Sequence, residues 1–186
     1  MGNFYFNYTL KGPKSERLAR SLKGHRTLVT PEQNGCVVVF IETPFRQDMD
    51  PQLAVRLSGE FGCPLLSVTD HDDDILFYQL YRNGNLVDEY NSAPDYFDRS
   101  KRPPRGPTGG DAAMLCKTFA HGTEQNVERI LRANSDTYML EYRRHQDLVT
   151  ELNLSTYAVG LDFDYVMKDD IGPLWGISRA DMIATE

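Results

Sequence analysis

The sequence predicts an α+β fold: a single domain built on a mostly antiparallel sheet, with helices packed mainly on one face. Three observations carry this. The first ninety residues switch between two-residue and 3.6-residue apolar periods in the order β-α-β-β-α-β-β-β, with short turns between. Asn83 and Gly84 sit between two strand-like runs, a strong short-range signal for an antiparallel hairpin. The second half holds several helical stretches but one strand-like run. A lone strand must join a sheet made elsewhere, so the halves share one domain over residues 1–186. With 186 residues, 40% of them hydrophobic and 25% charged, the chain can build such a core, and disorder or coiled coil is excluded.

The elements follow in order. Residues 4–10 form a strand, with Phe4, Phe6 and Tyr8 alternating with Tyr5, Asn7 and Thr9. Gly12 and Pro13 break it. Residues 14–23 form a helix, with Leu18, Ala19 and Leu22 on one side and Lys14, Arg17, Arg20 and Lys23 on the other. Residues 26–30 and 36–42 pair as a hairpin. The second arm is apolar throughout from Cys36 to Ile41, which marks a central strand covered on both faces. Asp50 as N-cap and Pro51 at the first helical position start a helix carrying Leu53, Leu57 and Phe61, which Gly62 ends. Strands follow at 65–69, 75–81 and 86–90.

Residues 94–110 carry four prolines, three glycines and no apolar period, and read as a surface loop. Helices then follow at 111–120, capped by Asp111, and at 123–133, capped by Thr123. The longest helix spans 136–152, on the stripe Tyr138, Tyr142, His145, Val149 and Leu152. Residues 157–166 read as a strand, with Ala158, Gly160, Asp162 and Asp164 on its polar face. The last twenty residues read as irregular and hold the only tryptophan, Trp175.

Charge is segregated within a net of −7. Residues 1–30 hold six bases and one acid, residues 31–98 hold 13 acids and three bases, and residues 99–110 hold four bases and no acid. An acidic body with two small basic spots is not the footprint of a nucleic-acid binder. The longest apolar run, Val37 to Ile41, is too short to span a membrane. The N-terminal residues lack the pattern of a secretory signal, and three widely spaced cysteines (Cys36, Cys63, Cys116) fit a reducing compartment, so the expected location is cytoplasmic.

No phosphate-binding, nucleophile-elbow or zinc motif is present, and neither a cofactor nor a metal is expected. The run from Asp70 to Asp74 begins like a calcium loop, but Ile75 stands at the glycine position and Tyr81 at the final glutamate position. It reads as a solvated acidic turn. Two sets of residues remain as candidates. His145 on the helix stripe, with Asp162 and Asp164 on one strand face, supplies an acid–base trio for a small hydrolase or metal-dependent enzyme if the three converge. Asp72, Asp73, Tyr90, Tyr96 and Phe97 supply an acidic, tyrosine-rich binding surface, since aromatics give contact area at low entropic cost.

The block from 77 to 92 (Phe-Tyr-Gln-Leu-Tyr-Arg-Asn-Gly-Asn-Leu-Val-Asp-Glu-Tyr-Asn-Ser), with Pro94-Asp-Tyr-Phe97 after it, resembles a block in a family of small uncharacterised bacterial proteins. Residues 144–148 and 152–160 are similar to the same family. The resemblance implies a bacterial cytoplasmic protein and assigns no catalytic residue. Together these readings favour a non-enzymatic interaction module whose partner is another protein, with the small hydrolase as the alternative.

Overall fold

The computed structural model describes residues 2–43, 50–98, 100, 105–134, 136–168 and 176–186. The elements run β1 (Phe4–Lys11), α1 (Ser15–Ser21), β2 (Thr27–Val29), β3 (Cys36–Ile41), α2 (Pro51–Phe61), β4 (Pro64–His71), β5 (Ile75–Arg82), β6 (Asn85–Asn91), β7 (Thr108–Gly109), α3 (Ala112–Phe119), α4 (Glu124–Arg132), α5 (Glu141–Glu151), α6 (Phe163–Met167) and β8 (Ile183–Thr185). Among the described residues the strands pair antiparallel throughout, in the order β7-β6-β5-β4-β1-β3-β2-β8. The chain is thus an α+β protein with a single central sheet.

The centre of the sheet is buried on both sides. Phe6, Tyr8 and Leu10 of β1 join Val37, Val39 and Leu65 beneath α1 and α2. Val38, Phe40, Leu66, Val68 and Tyr78 point the other way, beneath α3, α4, α5 and the segment leading into α6. The two helices of the first half therefore share one face, and the four of the second half cover the other. The all-apolar β3 follows from this, since it faces a core on each side.

Three sequence expectations are corrected. The strand expected at 157–166 does not form. Gly160 takes φ +72°, outside the extended region, residues 156–158 make a 3-10 turn, and Asp162 caps α6 by accepting the Tyr165 N–H at 2.8 Å. Its apolar residues need no alternation, because Ala158, Val159, Leu161, Phe163 and Val166 are all buried. The C-terminal residues are not wholly irregular: β8 pairs with β2, with Leu28 opposite Ala184. The third helix of the second half starts at Glu141, not at Asp136. Trp175 and the loop residues Arg99, Lys101 and Arg102 lie outside the described residues.

Candidate functional site

One end of the sheet gathers most of the molecule's unusual chemistry, and the β4–β5 turn is its centre. Asp72 and Asp73 both take positive φ, at +59° and +61°, a conformation aspartate tolerates better than most residues. Asp70 Oδ1 accepts the Asp73 N–H at 2.9 Å and closes the turn. Asp73 then ties three elements together. Its carboxylate accepts the Asn3 N–H at 2.9 Å, just before β1, and its carbonyl accepts the Glu141 N–H at 2.8 Å, at the start of α5.

Behind the turn lies a layer of buried polar groups. Tyr5 of β1 stands opposite Asp70 in the sheet, and its hydroxyl bonds His145 Nδ1 of α5 at 2.8 Å. Burial pushes the His145 imidazole down to about 3 and the Tyr5 phenol well up, so both are neutral near pH 7. With Tyr5 donating, Nδ1 is the acceptor and the ring proton sits on Nε2. Two residues C-terminal in β1, Asn7 donates to the carbonyls of Ala158 (2.7 Å) and Leu161 (3.2 Å). Burial, helped by the neighbouring Asp73 charge, raises the Asp70 carboxyl to about 8.

The buried cation of this layer is Arg144. Its guanidinium grips both carboxylate oxygens of Glu141, at 2.6 and 3.1 Å, and donates to the carbonyls of Ile130, Leu131 and Ala133 at the end of α4. The plane of Tyr138 lies beneath it, 4.5 Å from the ring centroid. Arg144 thereby satisfies carbonyls that the end of a helix leaves open. Burial raises the Glu141 carboxyl, and the Arg144 pairing pulls against that rise.

The outer side of the same turn is aromatic and exposed. The His71 ring meets Phe4, Tyr96 and Phe97 edge-on at 5.2, 6.2 and 5.3 Å. The Tyr96 hydroxyl donates to Asp74 at 2.8 Å. Phe97 is 70% exposed and Tyr96 40%. Met139, 82% exposed, and Leu140 immediately precede Glu141 and so flank the turn from the other side. Four of the six large apolar side chains exposed among the described residues thus lie at this end. Beside Phe97 opens a groove of about 1250 Å³ over the β4–β6 face, lined by His71, Phe77, Gln79, Glu89 and Asn91.

The expected site residues divide. Asp72, Tyr96 and Phe97 are together on this outer surface. Asp73 is beside them but turned inward and buried. Tyr90 borders the groove, but its side chain is nearly buried: it is 3% exposed, stacks on Tyr78 at 5.3 Å and donates to the Leu131 carbonyl. Its register places it on the α3–α5 face, whereas Asn91 beside it faces the groove. Of the acid–base trio, His145 is fully buried against Tyr5, Asp162 caps α6 and Asp164 is exposed. Among the described residues, no group of three or more His, Cys, Asp or Glu side chains is placed to hold a metal ion.

Tyr5, Glu141 and Arg144 were not singled out from the sequence. A signal for the last two exists: with His145, Leu148 and Val149 they occupy one helix face at i, i+3, i+4, i+7 and i+8. Among the described residues no helix is long and apolar enough to cross a membrane. Compared with family models, with curated proteins and with solved structures, the chain matches none.

Proposed function

We propose that this chain is a protein-interaction module and that its docking surface is the aromatic cap of the β4–β5 turn with the groove beside it. Its occupant is an extended segment of another protein that carries Lys or Arg next to an apolar anchor. The observation that carries this reading is Phe97, held edge-on against His71 yet 70% exposed at the mouth of the groove. An aromatic side chain fixed by its neighbours loses little entropy on binding, which makes it a natural anchor. The charge of the partner follows from the surroundings. Asp72, Asp74 and Glu89, all exposed, border the patch and groove. The three cysteines are unpaired, and burial raises each thiol above its ordinary range. These inert thiols suit the reducing cytoplasm of a bacterium, where we place the encounter.

The test is selection from a displayed library of random peptides, with the purified protein as bait. Selected peptides should be enriched in Lys or Arg beside an apolar residue. Phe97→Ser should weaken the best of them at least about tenfold, the scale of a binding hot spot. Asp72→Lys should weaken them and flatten their salt dependence. Recovery of the same peptides at equal strength by Phe97→Ser would overturn the proposal.

A further inference from the structure

The docking surface rests on a turn whose inner carboxyls lack counter-ions. Asp70 is fully buried, its Oδ1 is used within the turn, and its Oδ2 has no hydrogen-bond partner. Asp73 is buried beside it with Oδ1 unpartnered. The groups acting on the pair come from three elements: Tyr5 from β1, with His145 of α5 bonded to its hydroxyl, Asp74 from the turn itself, and Glu141 from α5. None of these is a cation, and the buried Arg144 spends its guanidinium on Glu141 and three carbonyls. A full negative charge on Asp70 would be buried without compensation.

We infer that a proton on Asp70 acts as a latch beneath the docking surface: while it is bound the β4–β5 turn stays seated on α5, and its loss to solvent releases the turn and the aromatic cap with it. This deepens the interaction reading, as regulation of that same surface, and rests on it. The mechanical link is the Glu141 N–H to Asp73 carbonyl bond of 2.8 Å, which joins the turn to the helix that follows Met139 and Leu140. The Tyr96 hydroxyl on Asp74 links the turn to the exposed aromatics. Burial already raises Asp70 to about 8, so the latch works on the alkaline side of neutrality.

Amide hydrogen exchange on the free protein tests this without any partner. Protection of the Glu141 amide, corrected for intrinsic exchange, should fall about tenfold between pH 6.5 and 8 and level off above pH 9, the signature of one linked proton. Asp70→Asn, neutral and nearly isosteric, should hold protection flat over that range. Asp73→Asn removes the neighbouring charge and should move the wild-type midpoint to lower pH, which keeps the test open if Asp70→Asn does not fold. Flat wild-type protection, or an unmoved midpoint in Asp73→Asn, overturns the latch. So does a pH response that saturating Mg²⁺ or Ca²⁺ abolishes, since the occupant would then be a cation. Failure of the docking reading is separate: Phe97→Ser would leave peptide binding unchanged while these amide midpoints stayed in place.

Discussion

Replacing Arg144 by Met should be among the most damaging single changes in this protein. The side chain is 1% exposed and makes five hydrogen bonds, two to Glu141 and three to carbonyls ending α4. Methionine fills similar volume, so the loss is mainly electrostatic. Stranding one member of a buried ion pair costs about 3–5 kcal/mol. The carbonyls of Ile130 and Ala133 lose their donor as well, and such losses overlap instead of adding. We expect about 4 kcal/mol, within a typical total of about 5–15, so the variant should fold but melt roughly 12 °C lower. Urea unfolding of wild type, Arg144→Met, Glu141→Leu and the double variant gives the cycle. The double variant should recover about 2 kcal/mol, the cost of the stranded carboxylate, and stay below wild type because the α4 carbonyls remain open. Low pH should soften the single variant, since an unpaired Glu141 can take a proton. A loss under about 1 kcal/mol for Arg144→Met, or a cycle without coupling, would refute the reasoning.

Other expectations concern the same layer and its surroundings. Asp70, folded value about 8 against about 3.9 unfolded, binds its proton more tightly in the native state, so its stabilisation is full below pH 4 and lost as pH rises to 8. His145, folded value about 3 against about 6.5, works oppositely, losing stability as pH falls below 6.5. The two oppose each other between pH 4 and 6.5, and from 6.5 to 8 Asp70 alone should remove about 2 kcal/mol, read by urea unfolding at each pH. Asn7→Leu should cost about 2–3 kcal/mol by leaving the Ala158 and Leu161 carbonyls unpaired, with the loss visible in chemical denaturation. Gly109→Ala should detach β7, since φ is +71° and an added Cβ would lie 2.1 Å from the Glu89 carbonyl oxygen; exchange of the Gly110 amide, now bonded to that oxygen, reports it.

What the sequence made legible was apolar rhythm, and what it hid was polar burial. The hairpin at Asn83–Gly84, the capped α2 and the two-sided β3 are local: their signals lie within a few residues of their effects. The strand expected at 157–166 failed because alternation is also produced by a segment buried irregularly, and the left-handed Gly160 was the one local sign against it. The acidic turn illustrates the other limit. Turn chemistry correctly placed a hairpin between β4 and β5, but aspartates in turns are ordinarily solvated, and only the packing of α5 on the turn takes Asp70 and Asp73 out of water. Tyr96 and Phe97 could be read as surface because no strand or helix period claimed them. Tyr90, inside a strand, had even odds of facing either way.

β1 shows why the polar layer is worth its cost. Its residues Tyr5, Asn7 and Thr9 would mark a solvent face in an ordinary antiparallel sheet, yet all three are buried. An apolar row would let α5 and the segment before α6 slide across the sheet with little change in energy, because dispersion contacts are not directional. Tyr5 instead selects His145 on α5, and Asn7 selects one carbonyl within the 3-10 turn (Ala158) and one three residues past its end (Leu161), each by a bond that fails if the register shifts. Fixing α5 in this way fixes where Glu141 meets Asp73, and so where Leu140 and Met139 stand relative to Phe97. The exposed surface is therefore positioned from inside: Tyr5→Phe with His145→Leu should retain much of the stability while broadening the signals of residues 71–74 and 139–141 in an amide correlation spectrum, and sharp, unshifted signals there would contradict this account.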